Sequence, residues 1–322
     1  MIRGIASGVL AATLLFTQSG CKKDQSAKAP NSQPIIAVIP KSTDHPYWNA
    51  VKAGAMKAGA EGNAEIRWQG PNSEADRQTQ IRIVGDMVEQ GADAVCIAPN
   101  DQIALADIIS QTSKKVPVVV FDSGVNTEDY VAYIATDNRH GGELAGEQML
   151  RLIGDAGGKI AVVRGIAGSE STTQREEGFI AAVKKNPKVT VTELRGDNAE
   201  LKSKQVTADL LSRDADIVGF FGPSEPVCKG ILGALQDAGK AGKIHFVGFD
   251  GGDELAKGLD AGAIDALVVQ RPVQMGQLAV KAALAALHHE TVQKKQPIDP
   301  LLITQQNKDQ PDVRELLQPK TH

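Results

Sequence analysis

Cysteine and aromatic residues are scarce in this sequence: three Cys, two Trp, three Tyr and seven Phe in 322 residues. So few cysteines exclude a disulfide framework, and none has a second Cys or His at the spacing a zinc site needs. Basic residues never run to five in succession and the formal net charge is −4. The clustered cations on which nucleic-acid binding rests are therefore missing. The N-terminal apolar run, Ile5 to Phe16, falls short of the about 20 residues that span a bilayer. Also absent are a glycine-rich phosphate loop ending in Gly-Lys-Ser/Thr, a Gly-x-Ser-x-Gly elbow and a paired-His metal motif. Gly165–Gly168 follows a strand pattern but lacks the spacing of a dinucleotide fingerprint. These absences point to a protein that is not an enzyme and uses neither cofactor nor metal.

What is present begins with an export pattern. Arg3 supplies a positive start, Ile5–Phe16 an uncharged apolar stretch, and Ser19-Gly20 the small residues before a cleavage point. Cys21 follows at once, which resembles the lipobox of bacterial lipoproteins, with Gln18 where Leu is usual. The expectation is a signal peptide over residues 1–20, lipid on Cys21, and anchorage in the cell envelope through that lipid alone. Residues 21–33 are polar and have almost nothing to bury, a composition that makes a solvated tether. Cys96, inside Ala94-Val95-Cys96-Ile97, reads as a small core residue, and Cys228 opens a helical pattern further on.

With 42% hydrophobic residues, the chain has apolar material for two domains of about 120–150 residues. From residue 34 onward, short Val/Ile-rich runs alternate with amphipathic stretches. The strand patterns are Ile35–Ile39, Glu65–Trp68, Ala94–Ile97, Val116–Phe121 and Val131–Ala135, then Lys159–Val163, Val189–Leu194, Asp216–Phe221, Ile244–Phe249 and Asp265–Val269. Helical patterns include Tyr47–Ala60, Glu74–Gln90, Gly142–Ile153 and Thr172–Lys185, with stops at Gly91, Gly239 and Gly262. Strands apolar on both faces suit parallel sheets covered by helices on each side. Two such series predict an α/β chain of two doubly wound parallel-sheet domains.

In open α/β sheets a ligand sits beyond the carboxyl ends of the strands, so the residues there carry the functional reading. The first strand leads to Lys41, His45, Tyr47 and Trp48, and the fourth to Asp122-Ser123. The fifth leads to Thr136-Asp137-Asn138. Then come Ile166 and Arg175, Ser224-Glu225, Asp250 and Gln270. Taken singly, an Asp or Asn after a strand is a helix N-cap, and Tyr47-Trp48 is helix packing. Coincidence across seven strand ends favours a crevice for a polyol, whose hydroxyls suit carboxylates, amides and guanidinium and whose C–H faces suit aromatic rings.

These residues resemble the type I periplasmic binding proteins, in particular the ribose- and galactose-binding branch, whose fold the lactose-repressor family shares. The resemblance runs from about Pro34 to Asn307. It rests on His45-Pro46-Tyr47-Trp48, Phe121-Asp122-Ser123, Ala135-Thr136-Asp137-Asn138, Gly165–Gly168 with Arg175–Phe179, Gly248-Phe249-Asp250, and Gln270. It implies that Tyr47 and Trp48 sandwich the sugar ring, that Asp250 and Gln270 bind its hydroxyls, and that Thr136, Ile166 and Arg175 line the crevice. Lys41 stands where ribose binders have a small polar residue, Ser123 where they have Arg, Ser224 and Ala98 where they have Asn, and Asn198 where they have an aromatic. An export signal stands where the repressors carry a DNA-reading headpiece.

The resemblance further implies lobes joined by a three-strand hinge: residues 34–136 with 271–297, and residues 137–270 with 298–307, leaving 308–322 as a tail. The ligand is expected to be a neutral monosaccharide, pentose or hexose, held by Asp122, Arg175, Asp250 and Gln270. The partner is expected to be an ABC permease of the inner membrane, and the protein a monomer. A sugar-sensing protein that presents its ligand to a membrane receptor is the alternative. If Cys21 carries the lipid, Cys21→Ala abolishes metabolic labelling with a fatty-acid analogue and blocks maturation; unchanged labelling and processing rule the anchor out.

Overall fold

The computed structural model describes Met1, Ile2, Gly4, residues 33–43 and residues 45–318; most of the expected signal peptide, Cys21 and nearly all of the expected tether lie outside the described residues. The strands are β1 (Ile35–Ile39), β2 (Glu65–Trp68), β3 (Ala94–Ile97), β4 (Val118–Phe121), β5 (Ala132–Thr136), β6 (Gly158–Arg164), β7 (Val189–Arg195), β8 (Ile217–Gly222), β9 (His245–Phe249), β10 (Ala266–Val269), β11 (Lys295–Ile298) and β12 (Leu301–Thr304). They form two six-stranded sheets, ordered β11-β5-β4-β3-β1-β2 and β12-β10-β9-β8-β6-β7. All pairings are parallel except that of β12 with β10. Central strands such as β3, β4 and β10 are buried along their whole length, as their unbroken apolar runs require when helices cover both faces.

Sheet membership makes the chain pass between the two lobes three times: after β5, after β10, and between β11 and β12. The last passage is a two-residue connection, so the chain leaves one sheet edge and enters the other without turning back. That is why β12 runs antiparallel to its neighbour. In each sheet the strand order reverses beside the first strand of its series, between β1 and β3 and between β6 and β8. Such switch points are where α/β sheets open a crevice.

Helices α1 (Pro46–Glu61), α2 (Arg77–Glu89), α3 (Ala106–Ser113), α4 (Asn138–Ile153), α5 (Glu170–Val183), α6 (Glu200–Arg213), α7 (Glu225–Asp237), α8 (Asp253–Asp260), α9 (Pro272–Leu287) and α10 (Pro311–Leu317) complete the fold. Two boundaries differ from the sequence expectation in ways that matter. α2 starts at Arg77 rather than Glu74, because the Asp76 side chain accepts the Thr79 N–H at 3.0 Å and caps the helix there. α4 starts four residues before Gly142, capped by Asp137, which accepts the His140 N–H at 3.0 Å. The stops at Gly91, Gly239 and Gly262 stand just past α2, α7 and α8, all at positive φ. Cys96 and Cys228 are buried and free, one in the core of each lobe.

Each lobe carries one tight helix crossing built on a reciprocal pair of glycines. A Cβ on Gly54 of α1 would lie 2.0 Å from the Val273 carbonyl oxygen of α9, and one on Gly276 would lie 2.0 Å from that of Val51. In the other lobe Gly142 of α4 faces the Arg175 carbonyl at 2.0 Å, and Gly178 of α5 faces that of Arg139 at 2.2 Å. These crossings join the helices whose first turns reach the crevice. An exposed helical Gly→Ala change stabilises by about 0.5–1 kcal/mol. Gly142→Ala should instead destabilise by about 1–3 kcal/mol, the usual cost of overpacking, because the Arg175 backbone has to move. Urea denaturation checks it, and a stabilised variant would refute this account of the crossing.

Candidate functional site

Both lobes aim an aspartate into the crevice by the same backbone device. Asp122 directly follows β4 and Asp250 directly follows β9, and both adopt left-handed backbone, φ 65° and 73°. Such conformations cost about 1–3 kcal/mol and persist where surrounding structure over-determines them. Here the backbone N–H of each is fixed to a neighbouring strand, Asp122 to Ile134 O at 2.9 Å and Asp250 to Val268 O at 2.8 Å. Each aspartate has a cation from its own lobe: Lys41 Nζ lies 3.1 Å from Asp122, and an Arg175 guanidinium nitrogen 3.8 Å from Asp250.

A chain of hydrogen bonds joins the two carboxylates. The Tyr47 hydroxyl donates to Asp122 Oδ1 at 2.8 Å and lies 3.4 Å from Gln270 Oε1. Gln270 Oε1 accepts from the Thr136 hydroxyl at 2.7 Å, and Gln270 Nε2 donates to Asp250 Oδ1 at 2.6 Å. Asp250 Oδ2 accepts the Glu225 backbone N–H at 3.1 Å. Burial, reinforced by the Asp122 carboxylate, pushes the Tyr47 hydroxyl well above the ordinary phenol range, so it stays a donor.

Arg175 is buried and held rigidly. Its Nε donates to Asn138 Oδ1 at 2.8 Å, an η nitrogen donates to Pro223 O at 2.9 Å, and the guanidinium lies 3.9 Å over the Phe249 ring. Lys41 spends its ammonium on Asp122, Ser171 Oγ at 2.9 Å and Ser169 Oγ at 3.2 Å, and so ties the first lobe to the second. His45 Nδ1 accepts the Tyr47 N–H at 3.1 Å and caps α1. Its Nε2 then faces Glu225 Oε2 of the other lobe at 3.1 Å. Burial raises the Glu225 carboxyl above its usual range, and His45 opposes that shift.

Lys41, His45, Tyr47, Trp48, Asp122, Arg175, Asn198, Ser224, Asp250 and Gln270 therefore converge on one interlobe cavity of about 40 Å³. Glu225 stands at its edge and lines flanking cavities of about 410 and 380 Å³.

Other expected residues are placed elsewhere. Asp137 is exposed, because its carboxylate is used to cap α4. Asn138 acts through Arg175. Ser123 is fully buried and accepts the Ser171 N–H at 3.1 Å, an interlobe contact. Thr136 acts through Gln270, and Ile166 lines the 380 Å³ cavity rather than the central one.

The expected aromatic sandwich is not formed. The Tyr47 and Trp48 rings meet edge to face at 82° with centroids 4.9 Å apart, and Trp48 is 2% exposed. Consecutive helical residues project about 100° apart, so they make two perpendicular walls rather than parallel faces.

Glu74 is a cavity residue that the sequence reading passed over. Its Oε1 accepts from Trp48 Nε1 at 3.3 Å and its Oε2 from Asn198 Nδ2 at 2.9 Å, while Asn198 Oδ1 accepts from Ser224 Oγ at 3.0 Å. The signal was Asp76, a better cap than Glu74. It leaves Glu74 in the loop after β2, at a strand end like the others. Among the described residues no cluster of His, Cys, Asp and Glu could hold a metal, and no helix is long and apolar enough to cross a membrane.

Residues 36–291 match the family described as periplasmic binding protein domain. The chain is 30% identical over 273 residues to the ribose import binding protein RbsB of Salmonella typhimurium, covering 84% of this chain and 90% of that protein. To the protein of the same name in Haemophilus influenzae it is 29% identical over 276 residues, covering 85% and 93%. It is similar in structure to an ABC transporter solute-binding protein of Agrobacterium vitis with bound D-fucose. That likeness has 34% identity and a TM-score of 0.84, over 88% of this chain and 99% of the other. A carbohydrate transporter solute-binding protein of Agrobacterium radiobacter in complex with D-arabinose gives 29% identity and a TM-score of 0.86, over 89% and 99%. With more than two thirds of its length inside the family match and the same two-lobed architecture, the chain belongs to the periplasmic binding protein family.

Proposed function

We propose that this protein captures a neutral monosaccharide between its lobes and delivers it to an ABC importer in the membrane. The observation that carries the reading is the pair of buried aspartates, one per lobe, joined across the crevice through Tyr47 and the hinge residue Gln270. Carboxylates, amide and phenol offer vicinal hydroxyls both acceptors and donors. Names among the relatives agree in class: ribose import binding proteins and a D-allose-binding periplasmic protein.

Charge favours a neutral ligand over a uronic acid. The ammonium of Lys41 has three N–H donors and three partners, which leaves none for a ligand carboxylate. Arg175 is the remaining buried cation of the cavity, facing Asp250 with Glu225 nearby. Desolvating an anion beside those carboxylates costs more than satisfying them with hydroxyls. The interlobe bonds from Lys41, His45 and Glu74 belong to the closed arrangement, so a ligand that binds both lobes favours it over the open one. Cys21 would hold the protein at the membrane through lipid, outside the described residues, with the lobes as the working part and the chain acting as a monomer.

Thermal shift against a monosaccharide panel identifies the sugar, since a ligand bound only by the folded state raises Tm. Calorimetry on pentoses, hexoses and uronic acids then tests the charge argument. Asp250→Ala should weaken binding by about 1.5–3 kcal/mol, the range for hydrogen bonds to a charged group. Preference for a uronate over its neutral parent, or normal binding by Asp250→Ala, overturns the reading.

A further inference from the structure

Residues 308–322 were expected to be a tail, yet those described, 308–318, are built into the second lobe. Val313 and Leu317, one turn apart on α10, are 3% and 0% exposed within that lobe's core. Arg314 meets the Asp260 carboxylate with two nitrogens at 3.1 and 3.0 Å, and Lys308 adds a third contact at 3.0 Å. These cations, Arg314 foremost, bring the Asp260 carboxyl down to about 2.

The end of α10 rests on the loop that carries Asp250. The Gly252 N–H donates to Leu317 O at 2.7 Å, and Gln318 Nε2 donates to Asp253 Oδ1 at 2.7 Å. A Cβ on Gly251 would lie 2.5 Å from Leu317 O and 3.1 Å from Leu316 O, so helix end and loop approach as closely as two backbones can. Leu316 and Gln318 also line the 410 Å³ cavity together with Tyr47, Asp250 and Gln270.

We propose that α10 is a positioning element for ligand capture: its last turn clamps the Asp250–Gly252 loop and keeps the Asp250 carboxylate aimed into the crevice. The inference rests on reading that crevice as the sugar site. Asp250 sits in a strained left-handed conformation that needs support on both sides. The strand bond to Val268 O supplies one side, and the Gly252 bond to Leu317 O supplies the other. Where the loop samples other conformers, only the competent fraction binds, and the apparent Kd rises in inverse proportion to it.

The test uses the full chain with Leu317→Ala, and separately with Arg314→Ala and Gln318→Ala combined. The second variant removes half-exposed anchors and leaves the apolar core intact, so it decides the matter if the first does not fold. Without any sugar, hydrogen exchange at the Gly252 amide should speed up by about tenfold or more as the clamp opens. Affinity for the sugar found by thermal shift should fall by about three- to tenfold, with Arg314→Lys in place of Arg314→Ala restoring part of it. In an Asp250→Asn background the same changes should cost little more, because the effect passes through Asp250. Unchanged Gly252 exchange in both variants overturns the proposal, and so does an affinity loss that adds fully to that of Asp250→Asn. If the full chain binds no sugar of the panel, the sugar reading fails by itself, and Gly252 exchange still decides the clamp.

Discussion

The side-chain amide of Gln270 ties the hinge to the crevice. Gln270 lies on the second passage between lobes and Thr136 ends the strand that leads into the first, and the Thr136 hydroxyl donates to Gln270 Oε1 while Gln270 Nε2 donates to Asp250. A buried amide of this kind has to be satisfied on both its oxygen and its nitrogen. The positions of two hinge strands and of one site carboxylate are therefore set together. Tyr47, which reaches both Asp122 and Gln270, extends the coupling to the other lobe.

Around that bond the lobes repeat one another. Each has a strand order reversed at its switch point, a reciprocal glycine crossing, an aspartate in a left-handed turn, and a cation beside it. The repetition places two acceptors face to face and neutralises them locally. The two cations are used differently. Lys41 spends its donors on Asp122 and on two serines of the opposite lobe, while Arg175 is fixed by Asn138, Pro223 O and the Phe249 ring. Among the described residues the cavity so built is closer to an acceptor-rich hydroxyl site than to an anion site.

The first ten strands, their grouping into two doubly wound sheets, the burial of Cys96, and most residues of the crevice were legible in the sequence, while β11, β12 and the burial of Cys228 were not. Strand periodicity and turn chemistry are local, and a doubly wound sheet brings its strand ends to one crevice whatever the loop details. By that logic Lys41, Tyr47, Asp122, Arg175, Asp250 and Gln270 could be named from spacing and resemblance. Asp137 was misplaced because an aspartate after a strand serves equally as a ligand or a cap, and here the α4 first turn claims it. Glu74 was hidden by a helix start placed three residues too early.

Composition and periodicity alone thus determined the fold class, the two series of strands and the polar character of the strand ends. Only the tertiary structure decided which polar groups face one another across the lobes. It gave Lys41 three partners, brought Glu74 to Asn198, and seated α10 under the Asp250 loop. The physical reason is that these contacts join residues far apart in the chain. Their geometry depends on how distant elements pack and, for Lys41 and Glu74, on how the two lobes meet, and no local pattern encodes that.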